Sequence, residues 1–411
     1  MKASSFGALL CASLFASPSS VFAQGPLTPP PGPPAPTMKS LDQIEARTPI
    51  STAPFTISAP GSYYLTKNIS VTSGDAIVIA VGGVTLDLNG FTISSSEASP
   101  SGYGINLNNG VSGIVISNGI IRGNVTYSGG VYSGPGFAYG VGFSVSTPLN
   151  VRVTNLVVSG CKVDGINLGT DFASTSAERC SVRTVGSGGI VAGAVNDCTA
   201  YFCGGNGINC TVVANSIGRS TGTGRGISTI TAVNCFADSV DNNAISADTA
   251  QSCRGGNSGD LPAIDASLVI NCHGINTGSG SGIAGATVSQ SYGISTGGGY
   301  GISAAHAVLN SYGSGLSGGI TTFNGTAENC RGETANGIGI QAFAAQNCFG
   351  NASGNGTGLS AYVISNCIGG SNTGIGIHCD IAGAMSYAFR QSPVGSNYLL
   401  GGGLAGPFNL P

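Results

Sequence analysis

One short pattern recurs from about residue 165 to residue 385 and decides most of what this chain can become. Each copy carries Gly or Ala, an aliphatic residue, a strand of small alternating residues and, in most copies, Asn-Cys or Asn-Ser. The aliphatic anchors are Ile166, Ile190, Ile208, Ile227, Ile245, Ile264, Ile283, Ile302, Ile320, Ile340, Leu359 and Ile377. After a first gap of 24 residues, the gaps are 18, 19, 18, 19, 19, 19, 18, 20, 19 and 18. A fixed period of this length marks a repeat architecture, in which each unit buries its apolar face only by stacking on the next.

The pattern inside a copy selects strands. The anchor and the second residue after it are apolar or small (Ala192, Ala247, Ala266, Ala304, Ala342, Ala361), and polar residues such as Asn209, Ser246, Asp265 and Gln341 lie between them. That is a strand with one face in and one face out. Three residues further on, Val195, Val213, Ala232, Val269, Val288 and Ile364 form a second inward row. Composition agrees: 69 Gly, no Trp and 8% charged residues disfavour long helices and suit short strands between Gly turns. A coil of this length has no room for a crossover helix.

Before the array the chain is less regular. Residues 1–23 read as a signal peptide, with Lys2, the apolar run Phe6 to Phe15 and the small-residue site Val21-Phe22-Ala23. This predicts an exported protein in the extracellular space, on the cell surface or in the periplasm. Residues 24–36, with Pro29-Pro30-Pro31-Gly32-Pro33-Pro34, form a polyproline linker. Residues 37–59 make an N-terminal cap whose first part, Thr37 to Arg47, is a short amphipathic helix through Met38, Leu41 and Ile44. Capping the open end of the solenoid is its ordinary role, and self-association is the alternative. Strands begin at Pro60-Gly61, and residues 60–164 form irregular coils, with Tyr127 to Phe143 as a projecting aromatic and Gly-rich loop. Residues 386–411 leave the repeat as a C-terminal cap.

Pro60-Gly61-Ser62-Tyr63-Tyr64-Leu65, then Val84-Thr85-Leu86-Asp87-Leu88-Asn89-Gly90-Phe91, then the Asn-Cys repeats resemble exported bacterial right-handed parallel β-helix proteins of the pectin lyase-like superfamily. The resemblance implies an all-β, right-handed parallel β-helix over residues 37–385. It carries no catalytic residue across, because the acidic and basic motifs of the pectinase-like relatives are missing: no Asp-Asp, Asn-x-Asp, Arg-x-Lys or Gly-His-Gly occurs.

Two rows have structural readings. Asn215, Asn234, Asn271, Asn310, Asn329, Asn347 and Asn366, with Asp197, Ser252 and Gln290 substituting, should stack from coil to coil, satisfy buried turn backbone and adopt the left-handed conformation of a tight corner. The next row, Cys180, Cys198, Ser216, Cys235, Cys253, Cys272, Ser291, Ser311, Cys330, Cys348 and Cys367, reads as a small buried position filled by stacked thiols, with occasional ladder disulfides as the alternative. Zinc would need Cys-x-x-Cys spacing or a tetrahedral cluster, and no cofactor is called for.

The candidate binding row follows immediately: Phe236, Arg254, His273, Tyr292, Tyr312, Arg331 and Phe349. If Cys points in, these point out, one every ~5 Å, near the repeat of a sugar unit in an extended glycan. Arg254, His273, Tyr292, Tyr312 and Arg331 are the ligand-binding candidates; an exterior stack that covers a sheet is the plainer reading. Asp248 and Asp265 are the best catalytic candidates, as carboxylates expected on one outward face in adjacent coils, although exposed strand Asp residues need no such role. His378 and Asp380 share a face as a weaker pair. With a net charge of −3, and −4 once Lys2 leaves with the leader, nucleic acid is a poor partner. No apolar run after the leader reaches bilayer-spanning length. The first functional expectation is therefore a non-catalytic secreted or surface protein contacting polysaccharide. A polysaccharide lyase or glycoside hydrolase with an atypical acidic site, and a purely structural or adhesive rod, are the alternatives.

Overall fold

The computed structural model describes residues 46–390 except 109, 171–173 and 383–385. The signal peptide, the polyproline linker, almost all of the amphipathic helix and the tail after Arg390 lie outside the described residues. From Arg47 to Arg390 the described chain is a parallel β-solenoid of about 17 turns. No helix occurs among the described residues, as the Gly and β-branched composition demands.

The anchors stack one on another in the predicted order. Ile166 pairs with Ile190, Ile190 with Ile208, and the register runs unbroken to Leu359 and Ile377. Every anchor is 0% exposed. The row also extends upstream through Phe55, Ile77, Ile105 and Val141, which the uneven coil lengths hid from the sequence. From Ile77 onward each coil thus places one Ile, Leu or Val at the centre with Gly or Ala just before it, while the first coil uses the partly buried Phe55. At Gly293 a Cβ would stand 2.1 Å from the carbonyl oxygen of Gly301, so the close approach of two backbone segments fixes that glycine.

The boundaries differ from expectation at three places. Strand pairing starts at Thr48–Ile50, which lies parallel to Gly61–Leu65, and Phe55–Ile57 pairs with Ile77–Ile79. The first coil therefore lies inside the segment assigned to the cap. At the other end, Tyr387–Arg390 still pairs in parallel with Ile368–Ser371, so the repeat continues past residue 385. Only part of the Tyr127–Phe143 segment projects. Thr126–Ser128 and Val131–Ser133 form the one antiparallel hairpin among the described residues, while Tyr139–Phe143 is a solenoid strand on Tyr103–Leu107. The hairpin folds back over neighbouring coils, where the Tyr132 hydroxyl lies 2.7 Å from Thr221 Oγ1 and Lys162 donates to the Tyr132 carbonyl.

Candidate functional site

The corner before the Cys row is built as its residue types require. Asp197, Asn215, Asn234, Ser252, Asn271, Gln290, Asn310, Asn329, Asn347 and Asn366 all have φ between 50° and 54°. Asn tolerates this left-handed region because its short amide bonds locally. The row begins earlier than the repeat suggested, with Asn89, Asn118, Asn155 and Arg179 in the same conformation. Its side chains bond along the solenoid axis: Asn329 Nδ2 to Asn310 Oδ1 at 3.1 Å, Asn347 to Asn329 at 3.1 Å and Asn366 to Asn347 at 2.7 Å.

These amides are exposed, which corrects the expectation that they satisfy buried turn backbone. The next row does that. Cys198 N donates to Ser216 Oγ, Cys272 N to Ser291 Oγ and Ser291 N to Ser311 Oγ, each at 3.1 Å. Cys180 and Cys253 donate in the same way to the sulfur of Cys198 and Cys272, at 3.3 and 3.4 Å. Each Ser hydroxyl or thiol also donates to the carbonyl two residues back, as from Ser291 to Ser289 at 2.7 Å and from Cys253 to Gln251 at 3.2 Å. Cys and Ser alternate because both are small and both can donate and accept. All twelve cysteines among the described residues are buried free thiols.

Beyond this floor the predicted outward row is present and in register. Phe236 pairs with Arg254, Arg254 with His273, His273 with Tyr292, Tyr292 with Tyr312, Tyr312 with Arg331 and Arg331 with Phe349. All five ligand-binding candidates therefore stand in one line. The Tyr292 and Tyr312 rings stack at 4.6 Å with 12° between planes, and His273 meets Tyr292 edge-on at 4.9 Å. Arg254 lies 5.8 Å from the Phe236 ring centre and Arg331 5.2 Å from that of Phe349. The ladder thus spends part of each ring face on its own neighbour, leaving chiefly ring edges open to solvent.

A second outward row, two residues further along each strand, sets the charges. Glu333 accepts from the Tyr312 hydroxyl at 2.7 Å and from Arg331 Nε at 2.8 Å. Burial alone would raise the Glu333 carboxyl, but these two donors outweigh it and hold the group below its ordinary value. Burial and the bond to Glu333 push Tyr312 up to about 12. Asp238 Oδ2 meets Arg219 Nε at 3.0 Å, and burial of Asp238 outweighs the attraction of Arg219 and Arg254, so its pKa is raised. Burial, with Arg254 beside it, lowers the pKa of His273 and keeps the ring neutral at pH 7. Its Nε2 is buried without a hydrogen-bond partner.

The Asn ladder and the aromatic–cationic row are the two sides of a long open groove, and the Cys/Ser row is its floor. One stretch of about 820 Å³ runs from Gln290 and Tyr292 to Asn366 and Ile368. Another, of about 570 Å³, runs from Asn215 and Ile217 to Asn271 and His273. An amide in the ladder uses one N–H and one lone pair on its neighbours and has one of each left over. The groove thus offers a repeated donor and acceptor on one side, every ~4.8 Å, and aromatic edges with cations on the other.

The acidic candidates are elsewhere. Asp248 and Asp265 lie on the anchor strands Ile245–Gln251 and Ile264–Ile270, across the Asn corner from the groove. The direct partner of Asp265 is Ser246, so Asp248 is displaced two residues along the strand rather than facing it. Burial raises the pKa of Asp265 against the pull of Arg225. His378 Nδ1 lies 3.4 Å from Ser360 Oγ. No cluster of three or more His, Cys, Asp or Glu converges on a metal position among the described residues. The sequence reading also passed over Phe323, Phe343 and Tyr362, which are 65, 49 and 46% exposed, with the last two stacked at 5.2 Å. Each stands three residues after its anchor in consecutive coils, so counting along the repeat would have found them.

No protein-family model matches the chain, and no curated protein matches it. Among solved structures it is similar to full-length tailspike protein 2 of Escherichia coli O157:H7 bacteriophage CAB120. The two are 12% identical with a TM-score of 0.27, over 80% of this chain and 34% of that one. It is also similar to the Dettilon tailspike protein, 13% identical with a TM-score of 0.22, over 79% of this chain and 60% of that one. The chain thus covers about one third and three fifths of the lengths of these two structures.

Proposed function

We propose that this is an exported, surface-acting β-helix protein that binds polysaccharide along the groove between the Asn ladder and the aromatic–cationic row. The observation that carries the reading is the match of periods: both sides of the groove repeat every coil, at the spacing of sugar units in an extended glycan. Hydrogen bonds from leftover amide groups, Tyr edges and the Arg254 guanidinium would dominate such contacts, with face stacking secondary because the rings are already stacked on each other. The right-handed winding and the kinship with pectin lyase-like proteins belong to the same reading. Binding rather than cleavage is favoured because Asp248 and Asp265 neither face each other nor line the groove.

The test is electrophoresis through native gels loaded with neutral or acidic polysaccharides. Wild-type protein is expected to be retarded in at least one gel, and Tyr292→Ala/Tyr312→Ala to migrate as in an unloaded gel. Equal retardation of both proteins would remove the groove from the reading. A second reading, a rod without a glycan ligand, is favoured by the self-stacked rings, and it predicts unretarded wild type in every gel.

A further inference from the structure

The groove floor has a property that polysaccharide binding does not use. In the Cys/Ser row the thiols fall into runs: Cys180–Cys198, then Cys235–Cys253–Cys272, then Cys330–Cys348–Cys367, separated by Ser216 and by Ser291 and Ser311. Flanking pairs fix the register. Gln251 pairs with Ile270 and Arg254 with His273, which places Cys253 directly against Cys272. Glu328 with Gln346 and Arg331 with Phe349 do the same for Cys330 and Cys348. Val233 with Gln251 and Phe236 with Arg254 place Cys235 against Cys253, and Gln346 with Ser365 and Phe349 with Ile368 place Cys348 against Cys367. The thiols are 0 to 3% exposed, yet Cys235, Cys253, Cys330 and Cys348 line the groove.

We propose that these runs are binding sites for soft, two-coordinate cations of the Cu(I) class, each ion bridging the thiols of two adjacent coils. Three arguments support this. The first is length. A metal–thiolate bond is about 2.3 Å for zinc, so a linear sulfur–metal–sulfur bridge spans about 4.6 Å, close to the ~4.8 Å coil repeat. The second is direction. In-register side chains on parallel strands point the same way, so a disulfide, with its ~2 Å bond and near-perpendicular dihedral, requires them to turn toward each other. A bridging ion does not. The third is selection. Thiolate softness favours Cu(I), and ligands in a straight row cannot make the tetrahedron that structural zinc requires.

Coordination is balanced by proton release. Each thiol that binds gives its proton to solvent: a pair that takes one monovalent ion releases two protons and keeps one negative charge, and a triplet that takes two ions releases three and also keeps one. Uptake should therefore weaken as pH falls, since protons compete with the metal.

The experiment is a titration of reduced full-length protein with Cu(I) held by bicinchoninate, followed by loss of the chelator's colour. Five thiol–thiol gaps exist in the row, so wild type is expected to withdraw up to five ions. Cys253→Ser/Cys348→Ser interrupts both triplets and leaves only the Cys180–Cys198 gap, so at most one ion is expected. This variant should fold, because Ser already occupies the row at 216, 291 and 311 with equivalent bonds. Unchanged circular dichroism would confirm that it does. Cys161→Ser/Cys210→Ser, outside the row, should retain full capacity. Failure of wild type to compete with bicinchoninate would overturn the proposal. So would more than one ion on the first variant, or comparable loss on the second.

Discussion

The coils before and after residue 165 use the same strand geometry but solve different problems. Upstream, anchors Ile77, Ile105, Val141 and Ile166 are separated by unequal lengths of chain, and bulky neighbours such as Leu86, Leu88, Leu107 and Leu156 fill the interior. Apart from the corner row, where Asn155 Nδ2 donates to Asn118 Oδ1 at 3.1 Å, polar contacts there include individual ones, as in Asp75 accepting from the Tyr103 backbone at 2.9 Å and from Asn106 Nδ2 at 2.7 Å. Downstream, nearly constant coil length keeps each residue type over its own kind. Side chains that would be isolated become ladders of Asn, of Cys and Ser, and of aromatics and cations. The corner conformation persists through both regions, from Asn89 to Asn366. What changes at the boundary is the residue after it, from Gly119 and Leu156 to Cys180 and Cys198. Constant length, more than any single residue type, turns a β-solenoid surface into a continuous groove.

The comparison breaks most visibly at the anchors. Ile283→Ala is expected to lower unfolding free energy by about 2–5 kcal/mol, measured in urea. Ile105→Ala should fall in the lower part of that range, because its larger neighbours can relax into the space while the Gly and Ala around Ile283 cannot. Equal losses would erase this distinction. Next in size, Gly293→Ala should cost about 1–3 kcal/mol, since its Cβ meets backbone rather than a movable side chain. Ala237→Gly, at the corresponding position two coils earlier than Gly274, should change stability by less.

Corner residues test whether a ladder adds to the conformation. Asn329→Ala places an ordinary side chain at φ 54° and deletes bonds to both Asn310 and Asn347. A loss of about 1–2 kcal/mol is expected from the left-handed conformation, plus a further fraction from the bonds. Asn329→Gly should recover the conformational part alone, so the difference between the two variants reads out the ladder.

The smallest effect concerns pH. Because the folded-state pKa of Glu333 is below its ordinary value of 4.5, its contribution is present above that value and disappears as pH falls through the folded pKa. Tyr312→Phe removes one donor and should make stability less sensitive to acid. An acid limb identical to that of wild type would show that the pair is too well solvated to matter.

The limits of sequence legibility follow the same division. The anchors, the left-handed Asn row, the buried Cys/Ser row and the outward line from Arg254 to Arg331 could all be read from spacing, because a stacked coil repeats its pattern in the chain. The start at Thr48 and the upstream anchors could not, because loops of unequal length conceal register. Asp248 and Asp265 show a subtler limit. Both are outward residues on neighbouring anchor strands, but their different offsets from the anchor, three residues and one, place Asp265 opposite Ser246 instead.

By itself, then, the sequence determined the repeat, the strands and which rows face inward, since these depend on local periodicity and residue size. Tertiary structure decided what lies beside what. It exposed the Asn amides, gave backbone satisfaction to Cys and Ser, stacked the aromatic rings on one another and joined two rows into a groove. Those outcomes depend on the register between coils and on how the chain bends at its corners, which are set by packing across residues about nineteen apart.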